Sequence, residues 1–227
     1  MDTNDFDGSR IFKELSFDLI SNICKELGTV DERLYLAYAE RAISRTQDGL
    51  YEEGEANLKE ALRIRKALGN YIPRSGKNDR ESVRTGLILY VLGNLRAVRS
   101  QWDQSFEFHY RAWDHMRATV GEKDFYTASV AHKIAEHFFR MGWSGEAISM
   151  INGALDVWSV DPTAHKNEIA RSTFLKGKTF ETTGKMQKAS ISLRVACRLR
   201  KEFTKEDRDV KSLGTKEFDE IVAFWIR

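Results

Sequence analysis

The chain has 227 residues, of which 41% are hydrophobic and 31% are charged, and its formal net charge is +2. This composition predicts a soluble, folded chain rather than a disordered one, and it lacks the basic excess typical of nucleic-acid-binding proteins. Two cysteines are too few for a disulfide framework, and no apolar run reaches the roughly 18 residues that a membrane span needs.

The charges are unevenly distributed along the sequence. Residues 1–60 carry 7 basic and 14 acidic side chains, whereas residues 61–227 carry 29 basic and 20 acidic ones. We interpret this difference as solvated helix faces. The alternatives are an acidic partner on the C-terminal half of the chain, or end-to-end self-association.

The N-terminal sequence, MDTNDFDGSR, is polar and acidic and therefore does not resemble a signal peptide. Cys24 and Cys197 lie at apolar helical positions, where reduced, structural thiols are expected. These features predict a reducing, cytoplasmic location.

The first predicted helix runs from Arg10 to Leu27, with Ser9 as its N-cap. Its apolar side chains fall on one helical face, which we expect to cover the open end of the units that follow. These side chains are Phe12, Leu15, Leu19, Ile20, Ile23, Cys24 and Leu27. Residues 1–30 are therefore predicted to form an N-terminal capping helix.

Residues 31–211 are predicted to contain four helix–turn–helix units, at 31–69, 81–121, 124–161 and 166–203. Pro73 and Gly76 mark a basic loop insertion, residues 70–80, between the first two units. Residues 212–227 are predicted to form a C-terminal capping helix, with apolar side chains at Phe218, Ile221, Val222, Phe224 and Trp225. The whole chain is expected to form one all-α domain.

The four units share one register, anchored on a residue in the tight turn between their two helices. The turn residues are Gly49, Ser100, Gly142 and Gly184. A small residue lies seven positions before each of them, at Ala42, Gly93, Ala135 and Gly177. Small residues also lie five and twelve positions after each of them, at Gly54 and Ala61, Ser105 and Ala112, Ala147 and Ala154, and Ala189 and Ala196. Small side chains allow two antiparallel helices to cross closely, and the turn glycines fit a left-handed backbone.

This register resembles the tetratricopeptide repeat, whose usual period is 34 residues. The alanines at 112, 154 and 196 are 42 residues apart, and together with ALRIRKALG at Ala61–Gly69 they are similar to the kinesin light chain variety. The resemblance implies a right-handed superhelical solenoid whose partner is a protein. Two departures are Ser100 at a glycine position and the absence of the asparagine pair common on the first helix, so binding of kinesin cargo peptides is not implied.

In such a solenoid the first helix of each pair is expected to line a concave groove. In the first unit the groove residues are apolar, namely Leu36, Ala39 and Ile43. The predicted binding residues of the later units are largely polar or charged, namely Tyr90, Asn94, His132, Glu136, Arg140, Arg171, Phe174 and Lys178. This gradient predicts a protein-interaction scaffold for an extended segment with an apolar part and an acidic part. No nucleic acid and no membrane is expected as a partner.

The alternative is a small-molecule-binding protein or a non-hydrolytic enzyme, of isomerase or cyclase type, that uses the group Tyr90, Asn94, His132, Glu136 and Arg140. His132 and Glu136 are four residues apart, so a general base and an orienting carboxylate would share one helix face. The other interpretation of this pair is an ordinary surface hydrogen bond or ion pair. A third possibility is the sensor end of a larger multidomain protein, although Met1 and the two capping helices argue against a fragment.

Signatures of catalysis and metal binding are missing from the sequence. HKIAEH, at His132–His137, has one residue too many for an inverted zinc-protease motif, and there is no phosphate loop or nucleophile elbow. The five histidines show no other metal-ligand spacing. No catalytic residue, metal or cofactor is therefore predicted. The basic run Arg194–Lys201 is interpreted as a solvated outer face, with nucleic-acid binding as a remote alternative.

Overall fold

A computed structural model of the chain describes residues 6–28, 31, 33–68 and 80–223, with side chains from residue 10 in the first helix and from residue 83 in the fourth. Within these residues all regular structure is helical. The α-helices are α1 (Phe6–Leu27), α2 (Arg33–Gln47), α3 (Tyr51–Ala67), α4 (Arg80–Val98), α5 (Trp102–Thr119), α6 (Phe125–Arg140), α7 (Ser144–Trp158), α8 (Lys166–Thr182), α9 (Met186–Thr204) and α10 (Thr215–Asp219). A short 3-10 helix, Val210–Ser212, lies between α9 and α10.

Four helix pairs dominate the packing: α2 with α3, α4 with α5, α6 with α7, and α8 with α9. The predicted all-α repeat fold is therefore confirmed. The chain divides into two compact units, Met1–Thr119 (unit 1) and Val120–Arg227 (unit 2). The predicted insertion lies almost entirely outside the described residues, as do Phe224 and Trp225. The predicted boundaries of the repeats, and their union in one domain, stay predictions.

All four tight turns end the first helix of a pair in the same way. The turn residues Gly49, Ser100, Gly142 and Gly184 have φ values of 78°, 58°, 78° and 70°. In each turn this residue donates its N–H to a carbonyl three positions back, and the next residue donates to a carbonyl five positions back, as Gly142 does to Phe139 and Trp143 does to Phe138. This is the Schellman pattern, and it satisfies carbonyls that the helix end leaves free. Ser100 adopts the left-handed conformation despite its side chain.

Small residues lie where the helices of each pair cross, as predicted. A Cβ atom added at Gly54 would lie 2.8 Å from Thr46 Oγ1, and one added at Gly177 would lie 2.7 Å from the Leu193 side chain. The alanines at the other crossing positions are 0–1% exposed. In the second pair Ser105 takes the place of an alanine and donates a hydrogen bond of 2.8 Å to the Gly93 carbonyl. Larger side chains at these positions would therefore force the helices apart.

The face through which the N-terminal helix packs on α2 overlaps the predicted one only in part, at Cys24, Ile20 and Ile23. Phe17 and Cys24 are buried, whereas four of the apolar residues that we expected to be buried are 61–78% exposed, namely Phe12, Leu15, Leu19 and Leu27. The helix also begins at Phe6, so that Ser9 lies inside it and does not cap it. The physical reason is a competing set of contacts. The rings of Phe17 and Tyr38 pack edge to face with their centroids 4.9 Å apart. The Arg41 guanidinium lies over the Phe17 ring.

Ion pairs stabilise the same face of α1. Glu14 lies 3.2 Å from Arg41 and 2.8 Å from Arg45, and Lys13 lies 3.4 Å from Glu40. A helical pattern shows which residues share a face, but it does not show which flank of that face contacts the neighbouring helix.

The predicted C-terminal capping helix is much shorter in the structure. α10 ends at Asp219, and a turn then brings Ile221 and Val222 into the core of unit 2. Phe218 is fully buried, and its ring stacks on Phe174 of α8 with centroids 4.2 Å apart. A single helical turn and the bend after it therefore bury three of the five apolar side chains that we had assigned to a longer helix, namely Phe218, Ile221 and Val222.

The positive φ of Ser100 allows a direct test of the turn conformation. A left-handed backbone costs an L-residue roughly 1–2 kcal/mol, so Ser100→Gly is expected to raise the free energy of unfolding by about 1 kcal/mol. Gly142→Ala is expected to lower it by a similar amount. Urea denaturation measures both changes, and Ser100→Ala is the control that should bring no gain. If Ser100→Gly were destabilising, the turn would not have this conformation.

The orientation of α1 can be tested with one substitution at two sites. Phe17→Ala removes a buried ring and is expected to lower the free energy of unfolding by about 3 kcal/mol. Phe12→Ala, on the same helix, removes a ring that is 78% exposed and should change it by less than about 0.5 kcal/mol. Chemical denaturation of both variants makes the comparison, and the reverse order of effects would support the face predicted from the sequence.

Candidate functional site

The eight predicted binding residues fall in both units, and each unit is described by itself. Tyr90 and Asn94 lie on α4 in unit 1. The other six lie in unit 2, with His132, Glu136 and Arg140 on α6 and the rest on α8. The five-residue group proposed for a small molecule is divided between the two units, so its existence as one site stays a prediction.

Accessibility follows the repeat register. The residues six positions before each turn are half-exposed, and we call them the accessible positions: Ile43, Asn94, Glu136 and Lys178. Three of the four residues ten positions before a turn are buried, since Tyr90, His132 and Phe174 are 0–3% exposed. The fourth, Ala39, is half-exposed. In each first helix the position six before the turn is therefore at least as exposed as the position ten before it.

In unit 1, Tyr90 and Asn94 converge on a residue of the second helix of their pair. Asn94 Oδ1 lies 3.0 Å from His109 Nε2, and the rings of Tyr90 and His109 are 5.4 Å apart. His109 fits over α4 because residue 93 is glycine, where a Cβ atom would lie 2.2 Å from the imidazole. No sequence pattern indicated His109, although the glycine at position 93 signalled a close approach.

In unit 2, the carboxylate of Glu136 is the centre of a polar network. Glu136 Oε1 accepts hydrogen bonds of 3.0 Å from His132 Nε2 and from an Arg171 NH2 group, and Oε2 accepts one of 2.7 Å from Lys133 Nζ. Arg171 Nε also lies 2.7 Å from Asp219 Oδ1. Helices α6, α8 and α10 are thus connected through one set of charges.

The network contains residues that no sequence pattern indicated. Ser172 Oγ lies 2.6 Å from His132 Nδ1, and both side chains are buried. Ser172 and Asp219 are 40 and 87 positions from His132 in the sequence, so no local spacing connects the three. Only the packing of α8 and α10 brings them together.

Burial and neighbouring charges determine the protonation states in this network. Burial, helped by the Arg171 guanidinium, lowers the pKa of His132 to about 4, so the imidazole is neutral at pH 7. Burial alone would raise the pKa of Glu136. Lys133, Arg171 and the hydrogen bond from His132 outweigh burial and hold that pKa well below its usual value. Burial and then Arg140 also lower the pKa of His137 to about 4.

The order Ser172, His132, Glu136 has the connectivity of a nucleophile, a base and a carboxylate. Ser172 is fully buried, however, and His132 is 1% exposed, so no substrate carbonyl can reach the hydroxyl. Two cations saturate the carboxylate as well. The His132–Glu136 hydrogen bond is therefore a structural contact within α6, and Ser172 and Arg171 connect it to α8.

The remaining predicted residues of unit 2 differ in accessibility. Phe174 stacks on Phe218 in the core and is not available to a ligand. Arg140 is exposed, and a guanidinium NH2 group lies 2.6 Å from His137 Nδ1. Lys178 is half-exposed and pairs with Glu181 on the same helix. Arg140 and Lys178 are therefore the cations of this face that a partner can contact.

The described residues contain no group of three or more His, Cys, Asp or Glu side chains placed to hold a metal ion. Among the helices described, none combines the length and the apolar character needed to cross a membrane.

No protein-family model and no curated protein matches the sequence. Solved structures do match it. BtubC (BKLC) of P. vanneervenii superposes with a TM-score of 0.69 at 16% identity, over 91% of this chain and 77% of that one. The chain has a tetratricopeptide-like repeat fold.

Two structures of kinesin light chain-type, nearly identical TPR-like repeats from Podosopora anserina agree with this assignment. One has a TM-score of 0.59, and a substituted variant of the same repeats has one of 0.60, each at 12% identity over 88% of this chain and 95% of the other. The resemblance to tetratricopeptide repeats of the kinesin light chain variety is confirmed at the level of the fold.

The neutral, buried state of His132 predicts a pH-dependent stability of the tetratricopeptide-like fold. The pKa of this residue is lowered from 6.5 to about 4, so between these values the unfolded chain binds more protons than the folded one. The contribution of neutral His132 to the free energy of unfolding is complete above pH 6.5 and is lost as the pH falls toward 4. The loss is at most about 3 kcal/mol.

Urea denaturation at a series of pH values measures this effect. The His132→Gln variant should show a smaller fall in the free energy of unfolding than the unaltered chain, with a residual fall from His137. Ser172→Ala is the control, because it disturbs the same network but keeps the histidine. An identical pH dependence in the unaltered chain and in His132→Gln would contradict the assignment.

Proposed function

We propose that the chain is a protein-interaction scaffold that holds a segment of another protein against the accessible positions of its first helices. The observation that carries the proposal is the shared accessibility of Ile43, Asn94, Glu136 and Lys178, which occupy one register position in four repeats. A tetratricopeptide-like fold keeps its packing positions small or apolar and leaves this register free to vary, so binding specificity can reside there.

The chemistry of these positions supports an extended protein segment. In unit 1 the accessible face is largely apolar, with Ile43 half-exposed and Leu36 39% exposed. In unit 2 it is charged, with the cations Arg140 and Lys178 beside a carboxylate network that is already neutralised. A protein segment with apolar and polar parts can make both kinds of contact. A small molecule would contact only one or two of the repeated positions.

The concave groove that these first helices are predicted to line is the binding face in this proposal. Acidic groups on the partner would pair with Arg140 and Lys178. Lys133 and Arg171 contribute indirectly, because their charges are balanced by Glu136 and Asp219 within unit 2. The attraction for an acidic segment therefore depends on two accessible cations, and it should weaken as salt rises.

Site-specific crosslinking in the native cell tests the proposal. A photoreactive amino acid at position 178 is expected to capture a protein that the same group at position 188, on α9, does not capture. The captured segment, made as a peptide, should then bind the purified chain. The double variant Arg140→Glu/Lys178→Glu should weaken this binding about tenfold or more.

The control is Lys185→Glu/Lys188→Glu, which makes the same change of charge on exposed residues of unit 2. It should leave the affinity within about twofold. Equal loss in both double variants would show non-specific attraction and reject the groove as the binding face. Circular dichroism before and after the substitutions checks that the fold is retained.

A further inference from the structure

Part of the basic excess of the C-terminal half lines one cavity. This cavity, of about 300 Å³, lies between the last turns of α9 and the connector that follows it. Five cations line it, namely Arg194, Arg198, Arg200, Lys201 and Arg208. Glu206 and Asp207 are the two carboxylates in the lining. We call this the α9 cavity.

Internal pairs use some of these cations. Arg200 is 5% exposed and donates to Glu206 Oε2 at 3.0 Å and to the Glu217 carbonyl at 3.3 Å. Lys201 donates to Asp207 Oδ2 at 2.6 Å. Both carboxylates of the lining are thus engaged. Arg208 donates to the Ser212 carbonyl at 2.8 Å and lies 3.5 Å from Glu217 Oε1, so Arg194 and Arg198 are the cations that remain.

The two remaining arginines lie side by side. Arg194 and Arg198 are exposed and are four residues apart on α9, so they occupy one face of the helix. Arg194 Nε donates to the Ser190 carbonyl at 3.3 Å, and the charge of Arg198 interacts with Glu202, whose carboxylate pairs with Lys166 at 2.9 Å. Among the described residues, no carboxylate lies within ion-pair distance of Arg194 or Arg198. Like charges at this spacing repel, and an anion placed between them would relieve that repulsion.

The floor of the α9 cavity is apolar and held in place. Leu213 is buried and Val210 and Cys197 are half-buried, and all three belong to the cluster around Phe174 and Phe218. The connector is fixed by Asp209, whose Oδ1 accepts from Lys211 N–H at 2.7 Å, and by the buried Arg200. A preformed wall reduces the ordering that binding would otherwise require.

We propose that the α9 cavity binds an acidic peptide segment of a partner protein, with carboxylates against Arg194 and Arg198 and one apolar side chain over Cys197, Val210 and Leu213. The lining contains no aromatic side chain on which a nucleic-acid base could stack. Its volume is at the lower end of ligand sites and suits one or two side chains. This second site lies on α9 and the connector, and so it goes beyond the binding face on the first helices.

A labelled acidic peptide tests the proposal on the full chain. The probe is fluorescein-labelled DEDLEDE, and the control probe is NQNLQNQ, which has the same apolar residue without the charges. Fluorescence anisotropy should show binding of the first probe alone. Arg194→Glu/Arg198→Glu should weaken it about tenfold or more, and the charge-matched pair Lys185→Glu/Lys188→Glu at the start of the same helix should leave it within about twofold.

Cys197 reports where the probe binds. Burial raises the pKa of its thiol, so alkylation with iodoacetamide is carried out at mildly alkaline pH and followed by mass spectrometry. Saturating DEDLEDE should slow alkylation of Cys197 several-fold, while that of the buried Cys24 is unchanged. The groove variant Arg140→Glu/Lys178→Glu should keep both the affinity and the protection, which separates this site from the proposed binding face.

Three results would overturn the proposal. The first is unprotected Cys197 despite binding of the probe, and the second is equal loss of affinity in the two variants of α9. The third is tighter binding, with protection of Cys197, by a single-stranded oligonucleotide, which would assign the cavity to nucleic acid. Exposed substitutions are not expected to unfold the chain, and circular dichroism of each variant verifies this.

Discussion

The close crossing of two helices behind a left-handed turn is the constraint on which the rest of this structure depends. Gly93 shows it most directly, since a Cβ atom there would lie 2.2 Å from the His109 ring. Each crossing needs a small residue on the first helix and others on the second, and each turn needs a residue that tolerates a positive φ. These demands occupy a few positions of every repeat. The surfaces of the helices remain free to differ from one repeat to the next.

Burial then determines what the charged residues can do. Glu136 is half-exposed, but its carboxylate lies among His132, Lys133 and Arg171, which compensate for the water that it loses. The network balances its own charge and connects three helices, so it contributes to the fold more than to recognition. Other cations of unit 2 lie outside this network, on α9 at Arg194 and Arg198 and on the first helices at Arg140 and Lys178.

The repeat pattern was predictable from sequence because it depends on residue size at fixed spacing. The four turns, including Ser100, and the buried small residues agree with that prediction. Which flank of α1 faces α2 was not predictable, because Phe17 and the ion pairs of Glu14 compete with an equally apolar face. The burial of Tyr90, His132 and Phe174 depends on His109, Ser172 and Phe218, which lie on other helices at no fixed spacing from them.

Thiol labelling of single cysteines, in a chain whose Cys24 and Cys197 are replaced by serine, tests the central claim most directly. The claim is that positions seven and six before each turn have opposite environments, one in the crossing and the other accessible to a partner. Ala42→Cys and Ala135→Cys should react only when the chain unfolds, whereas Ile43→Cys and Lys178→Cys should react rapidly in the folded chain. Similar rates at Ala42 and Ile43, which are adjacent in sequence, would contradict the repeat register and the binding face derived from it.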